Sequence, residues 1–537
     1  MAEPSRRIYR VLPLLAILAF GAFLLLFHLD DRPFWQDEAE TACLAKNVLK
    51  YGVPRAYDGV NIISQEHGRE YDQNYLWRWS PWLQIYIAAA AFKIGGLTTF
   101  AGRLPYAIMG LACILLVYYV VRHNFNNYWW ALISAALLTC SVPFLIYARQ
   151  CRYYGLGALL TLLTLYAFKE DWESKLFPAL LLSLSAGLLF HTNYLLFFTF
   201  LVPALLAAIW LYPEKLPLKR TAIIIIATLL IILPGLLLFR IQAQSKIINL
   251  ALIPKNLEQY FGGLLQYLIP LPLALYLLWR WRRVFWTPRL AIPQDPGERF
   301  VLFLSLIILG NILCLCPAPQ CEHRYLMHLY PLCAIILGWV IVQTWRYYKV
   351  AGVLVALLLL FTNWLYIVPM DWLTITNRPT LNARNMLTSP NLPLKLFLTE
   401  IINGYPDVNR NYIQFFQTHA QPGDTILTTY GDLPLQFYTP FRVVGGLQGH
   451  ISLSQSPDWV VPRWVTRWNR TYHLNESELF IKEKLPLDSD YCRIVLPFAD
   501  EEFGNIADPY AHRFVPDPQP LAEIEIYKKL GPRQNVH

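Results

Sequence analysis

Apolar runs of about 17 to 20 residues recur between residues 8 and 368, divided by short polar connections, and each is long enough to cross a hydrocarbon core of about 30 Å as a helix. The pattern predicts crossings over 8–29, 104–121, 128–147, 153–168, 176–190, 194–212, 221–239, 262–279, 300–316, 328–344 and 350–368, about eleven in all. Pro81–Gly96 is apolar too, but it is short and carries Gln84 and Lys93, which suits a helix lying in the interface plane. Arg6 and Arg7 precede the first run as in a signal peptide. The run is longer than a signal core and no small-residue cleavage site follows, so it reads as a retained anchor.

Beyond residue 370 the period changes. Asn411–His419 has the spacing of an amphipathic helix, Pro422-Gly423-Asp424 is a turn, and Thr425–Thr429, Trp459–Pro462, Cys492–Pro497 and Glu523–Tyr527 read as strands. The predicted fold is an α-helical polytopic membrane protein with interfacial helices in a first outer loop, 30–103, followed by a C-terminal extracytoplasmic α/β domain. Its expected domains are 1–370 and 371–537.

Loop charge orients the chain. With the N-terminus inside and 81–96 interfacial, the inner connections carry Arg122, Lys169, Lys175, Lys215, Lys219, Arg220, Arg280, Arg282, Arg283, Arg289, Arg299, Arg346 and Lys349, as the positive-inside rule demands. Counting 81–96 as a crossing would put most of these on the wrong side. The same parity places the 30–103 loop, Arg149–Arg152, His191, Pro317–Tyr325 and the tail outside.

Composition agrees: 55% of the 537 residues are hydrophobic and 15% charged, against roughly 25% charged in a soluble domain. The net charge of +9 is scattered through short loops rather than gathered in one patch, so nucleic acid is not an expected partner. Of nine cysteines, Cys113, Cys140, Cys314 and Cys316 lie in or beside apolar runs; Cys43, Cys151, Cys321 and Cys492 fall in outer segments where disulfides are permitted. No CxxC, P-loop or GxGxxG occurs.

Ionisable residues held at the ends of crossings are the places to look for chemistry. Asp37 and Glu38, in the stretch Trp35 to Thr41, lie just beyond the first crossing. Asp37 is either a general base for an acceptor nucleophile or, with Glu40 three residues on, the start of a capping box. Arg149 and Arg152 join two crossings with almost no loop between them. They would grip a lipid phosphate, or snorkel to headgroups as arginines at span ends ordinarily do. Glu322-His323-Arg324-Tyr325 supplies a second cationic point on the same face. His191 occupies another minimal outer turn, where a histidine is more often a satisfied turn residue than a ligand. Asp488-Ser489-Asp490 has the form of a metal-binding DxD but needs no metal as a turn before a strand.

Taken in order, these residues resemble the GT-C membrane glycosyltransferases, in the branch of the protein O-mannosyltransferases and the lipid A aminoarabinose transferase. The resemblance covers roughly 8–368 and rests on an ordered set. It comprises Asp37-Glu38, a segment opening at Pro81, Gly95 or Gly96 ahead of Arg103-Leu104-Pro105, Tyr147 with Arg152 and Tyr154, His191 with Tyr194, and Arg324-Tyr325 ahead of Pro331. It implies inverting transfer of a sugar from an undecaprenyl- or dolichyl-phosphate donor to a lipid, glycan or protein acceptor outside the cytoplasm, with no cofactor or metal, from a bacterial inner membrane. Asp37 and Glu38 are then the catalytic acids, and Arg152, Arg324 and Arg149 hold the donor phosphate. His191, His323, Tyr325 and Tyr154 would line the substrate. Relatives often carry His-Pro-Pro or Glu-Lys-Pro where this chain has Trp79-Ser80-Pro81, so Arg78 stands in for a phosphate-binding lysine. The alternative is a transporter or flippase of lipid-linked sugars. Its mark would be polar residues in mid-span and inverted halves with paired broken helices, which the sequence lacks.

Overall fold

The computed structural model describes every residue except 1–2, 171, 173, 242–248, 287–291, 374–386, 405–406, 450, 452, 454, 464–475, 501–507, 516–522 and 531–537. The sequons at Asn469 and Asn475, and Arg289 among the inner-loop cations, lie outside the described residues.

The chain forms two compact units. Met1–His28, Tyr106–Ile402 and Ala507–Tyr510 make the first; Leu29–Pro105, Asn403–Ile506 and Ala511–His537 make the second. These cut across the expected boundary at residue 370, because the 30–103 loop finds its packing partners in the tail rather than in its neighbours in sequence.

The first unit is helical. Its helices begin with α1 (Glu3–Leu26), and α2 (Gln36–Tyr51) and α3 (Leu83–Gly95) belong to the second unit. There follow α4 (Thr99–Phe125), α5 (Tyr128–Cys140), α6 (Val142–Ala148), α7 (Tyr154–Lys169), α8 (Leu176–Thr192), α9 (Tyr194–Leu211) and α10 (Leu218–Leu238). Further helices include Pro296–Leu315 and Tyr330–Tyr347. Among the described residues five helices are long and apolar enough to cross a membrane, or eight if each of three bent pairs makes one crossing. Two of the pairs bend by 66° at Ser141 and by 92° near Asn363. The three remaining expected crossings coincide with the shorter apolar helices Val11–Leu26, α7 and α8. At 1.5 Å per residue these fall short of a full hydrocarbon core when upright. Tight connections are capped locally: Asn193 accepts from the N–H groups of Leu195 (2.9 Å) and Leu196 (3.2 Å), which lets α9 start directly after α8. A methyl group on Gly155 would sit 2.7 Å from the Tyr106 carbonyl oxygen, so this glycine sets how closely α7 approaches α4.

The second unit carries a five-stranded mixed sheet in the order β2-β1-β3-β5-β4: β1 (Thr425–Thr428), β2 (Arg442–Gly445), β3 (Trp459–Val461), β4 (Tyr491–Ala499) and β5 (Glu523–Lys529). β1 runs parallel to β2 and β3; β5 runs antiparallel to β3 and β4. The helix Val408–His419 places Val408, Tyr412 and Phe416 on one stripe at four-residue spacing, and these pack on Ile426, Val443, Trp459 and Ile526 of the sheet. Asp407 caps that helix, its Oδ1 accepting from the Arg410 N–H at 3.0 Å. The expected strands are all present, within two residues at each end. β2 is a strand beyond those expected, short at four residues though bracketed by Pro440 and Gly445-Gly446. All nine cysteines are free thiols, including the four for which the outer loops would permit disulfides; Cys43 and Cys151 are buried.

Candidate functional site

Within the second unit, α2 begins at Gln36, and its N-cap is Trp35, which makes no side-chain cap bond. Asp37 is therefore the second helical residue and cannot be the cap of a capping box. It still benefits from the positive end of the helix dipole, as acids in a first turn do. The two adjacent acids have different surroundings. Glu38 is fully buried, and its carboxylate is clamped by Arg103, with Nε to Oε1 at 2.8 Å and Nη2 to Oε2 at 2.6 Å. The same guanidinium donates to the carbonyls of Leu29 and Arg32 (both 2.9 Å) and Pro33 (3.3 Å), tying down the chain that leads into α2. Both carboxylate oxygens of Glu38 are thus engaged by one desolvated guanidinium. Asp37, one residue earlier, is only half-buried.

Asp37 also keeps acidic company that the sequence does not reveal. Burial raises the Glu66 carboxyl above its usual range, and the negative charges of Glu40 and Asp37 push the same way. Glu40 accepts from Gln65 Nε2 at 2.8 Å. Glu70 accepts from Ser64 Oγ (2.8 Å) and the Glu66 N–H (2.7 Å), and burial raises its pKa despite those bonds. Gln36 and Gln448 bracket Asp432 at 2.8 and 3.1 Å; burial lifts its pKa to about 6. Arg78 pairs with Asp72 at 2.9 Å, so a counter-ion is already within its own loop.

In the first unit the cations gather where α6 meets α7. The segment His323–Leu329 packs against α7, and the Tyr153 hydroxyl lies within electrostatic reach of both Arg152 and Arg324. Arg324 is 4.0 Å from Glu322 and 6.0 Å from the centre of the Tyr325 ring. Tyr325 lies within electrostatic reach of Tyr153, Tyr194 and Tyr260, and the Tyr154 ring is tilted against those of Tyr147 (4.9 Å) and Tyr153 (4.6 Å). His323 is edge-on to Tyr267 (5.5 Å) and Tyr510 (5.2 Å); a methyl group on Gly263 would come within 2.8 Å of its ring. Arg152, Arg324, Tyr154, Tyr325 and His323 thus share one region of this unit.

Two residues expected there do other work. Arg149 turns back to α1, donating to the carbonyls of Leu24 (2.8 Å), Phe27 (2.9 Å) and His28 (3.1 Å), the orphan acceptors of a helix C-terminus. His191 is bonded through Nε2 to the Ile231 carbonyl at 2.8 Å and joins α8 to α10. One residue was missed altogether. Asp508, far along the tail, accepts from the Tyr147 hydroxyl at 2.9 Å in a buried contact inside the first unit. Only a lone Asp-Pro-Tyr in the tail sequence marks it. Asp488 and Asp490 lie in a short helix, Leu487–Asp490, where Ser489 Oγ donates to Asp490 at 2.7 Å. Among the described residues no group of three or more His, Cys, Asp or Glu side chains is placed to hold a metal ion.

Residues 80–238 match the family described as dolichyl-phosphate-mannose-protein mannosyltransferase. The structure is similar to apo ArnT from Cupriavidus metallidurans, with a TM-score of 0.50 at 12% identity over 91% of this chain and 93% of that one. It has the GT-C glycosyltransferase fold. ArnT of the same organism bound to undecaprenyl phosphate matches with a TM-score of 0.49 at 13% identity, over 97% of this chain and 98% of that one. The apo oligosaccharyltransferase of Archaeoglobus fulgidus gives 0.44 at 14% identity, over 90% of this chain and 69% of that one. No curated protein matches the chain in sequence. A GT-C fold with several apolar helices makes this chain an integral membrane protein. Of the ordered motif set, Pro81, Arg103, Tyr147, Arg152 and His191 fall within the matched 80–238 stretch, and Asp37-Glu38 and Arg324-Tyr325 lie outside it.

Proposed function

We propose that this protein is an inverting glycosyltransferase that takes a sugar from a polyprenyl-phosphate donor, undecaprenyl or dolichyl, and passes it to a lipid, glycan or protein acceptor on the extracytoplasmic side of a bacterial inner membrane. The observation that supports the reading is that Arg152 and Arg324 both lie within electrostatic reach of the Tyr153 hydroxyl. Two guanidiniums on one point suit a phosphate, which accepts paired, charge-assisted hydrogen bonds. The description of the family matched by 80–238 names a sugar carried on a polyprenyl phosphate, which supports the same donor class.

The chemistry follows from the groups at hand. The acceptor hydroxyl or amine attacks the anomeric carbon, its proton passes to the Asp37 carboxylate, and the bond from that carbon to the phosphate oxygen breaks. Attack opposite the leaving group inverts the centre. Arg152 and Arg324 hold the phosphate and stabilise the charge that grows on it as it leaves. Glu38 keeps Asp37 in position through Arg103 and takes no proton.

The test is direct. Purified protein is incubated with radiolabelled polyprenyl-phosphate sugars and a membrane extract. Label moving into an acceptor fraction supports the reading. Donor that crosses a proteoliposome without label transfer would instead mark a flippase.

A further inference from the structure

At the other end of α7 from Arg152, about 24 Å away along a 16-residue helix, α7 to α10 line a cavity of about 240 Å³. Its walls are apolar, with Leu165, Phe168, Ala186, Phe200, Ala204 and Leu229 among them. Four polar side chains interrupt that lining; Thr164 and Thr228 donate to the Leu160 and Ile224 carbonyls of their own helices, and Trp172 and Thr221 are the other two. Trp172 is 1% exposed, and among the described residues neither its Nε1 nor the buried Oγ1 of Thr221 has a hydrogen-bond partner. A buried donor left unmade costs about 1 to 3 kcal/mol, so each is a place where a ligand acceptor would be gained rather than exchanged.

Thr221 lies in the first turn of α10. That helix has Pro217 as its N-cap, which offers no side-chain cap, so its first N–H groups are orphans facing the positive end of a 21-residue dipole. Lys219 and Arg220 directly precede Thr221, are exposed, and make no ion pair among the described residues. By contrast, the nearby Arg299 is paired with Glu214 at 2.9 Å, and Lys215 donates to the carbonyls of Lys169 (3.0 Å) and Glu170 (2.9 Å). The end of the cavity thus joins an uncapped helix N-terminus, two uncommitted cations and two unpartnered donors to a slot that only a hydrocarbon would fill.

We propose that this cavity is a binding site for an anionic phospholipid. One acyl chain fills the space between α7 and α10, and the phosphate sits at the α10 N-terminus against Trp172, Thr221, Lys219 and Arg220. Anion binding at a helix N-terminus and burial of about 0.8 kcal/mol per CH₂ act at opposite ends of the same molecule. The site is separate from the Arg152–Arg324 region and does not depend on the transferase reading.

The full chain, delipidated in detergent, is titrated by native mass spectrometry with dioleoylphosphatidylglycerol, dioleoylphosphatidylcholine, undecaprenyl phosphate and inorganic phosphate. A phosphatidylglycerol adduct is expected, bound about tenfold more weakly by Trp172→Phe and by the double variant Lys219→Glu, Arg220→Glu. It should be lost in Ala204→Phe, which fills the slot. Inorganic phosphate alone should not be retained. The proposal is overturned if wild type retains no phosphatidylglycerol, or if all three variants bind it equally. It is also overturned if phosphatidylcholine binds as tightly, or if undecaprenyl phosphate displaces the adduct, which would give the cavity to a polyprenyl tail. Should Ala204→Phe fail to fold, the double variant decides, because both its residues are exposed.

Discussion

Glu38→Gln separates the two acids most sharply, because it keeps the shape of the side chain while removing the charge from a fully buried pair. In the native protein Arg103 meets Glu38 at 2.8 and 2.6 Å and uses its remaining donors on Leu29, Arg32 and Pro33. A glutamine leaves one oxygen for one of the two contacts and turns an NH₂ toward the other guanidinium N–H. Arg103 then keeps a positive charge, with a side chain only 9% exposed, and no counter-ion in that contact. Breaking one partner of a buried pair costs about 3 to 5 kcal/mol. Local opening of residues 29–38 should rise accordingly, lowering hydrogen-exchange protection there by about 100-fold to 4,000-fold, at about 1.4 kcal/mol per tenfold. The assay is hydrogen–deuterium exchange on detergent-solubilised protein, read on peptides covering 29–51 with the sheet peptides as an internal reference. Arg103→Ala should reproduce the pattern. Wild-type protection in Glu38→Gln, together with a selective loss of turnover, would refute the bracing role and return Glu38 to the chemistry.

Arg152→Ala and Arg324→Ala should each weaken binding of a polyprenyl-phosphate sugar by about 1.5 to 3 kcal/mol, roughly 10-fold to 150-fold, measured by equilibrium binding of a labelled donor. Arg149→Ala, which strips the α1 carbonyls of a donor, should lower the melting temperature and leave donor affinity near wild type; the reverse outcome would exchange the roles of these arginines. Asp432 titrates with a folded-state pKa of about 6, above its unfolded value of about 3.9, so the folded state binds the extra proton. Its contribution to stability is thus most favourable below about pH 4 and declines as pH rises to about 6, by on the order of 3 kcal/mol. Asp432→Asn should flatten melting temperature against pH across that window, and an unchanged profile would count against it.

What was legible in the sequence followed from local periodicity. The apolar runs became helices in their expected places, and β1, β3, β4 and β5 fall where turn residues bracket β-branched stretches. The bends were not legible as bends, because hydropathy stays high through Ser141 and Thr362-Asn363; the polar residues inside those runs are the only trace. Partnership across the chain was invisible for a different reason. Asn61 bonds the Phe441 carbonyl and the Val443 N–H, and Gln36 reaches Asp432, contacts between residues nearly 400 apart that no window can register. The same holds for Asp37 and Glu38: as neighbours they look alike, and Arg103, 65 residues on, is what tells them apart. Arg149 and Arg152 repeat the lesson, one bonded to helix carbonyls and the other within electrostatic reach of Tyr153 and Tyr106.

If Asp37 is the base of a sugar transfer, Asp37→Asn removes the proton acceptor and little else. Asp37 makes no helix cap, and asparagine matches aspartate in size, so the variant should fold and bind donor as wild type does. General-base contributions are typically about 100-fold to 10,000-fold. Transfer rate and donor affinity are measured on the same preparation with a radiolabelled polyprenyl-phosphate sugar and a membrane extract. The account predicts a fall of at least about 100-fold in rate with donor affinity unchanged. A rate within a few-fold of wild type would contradict it.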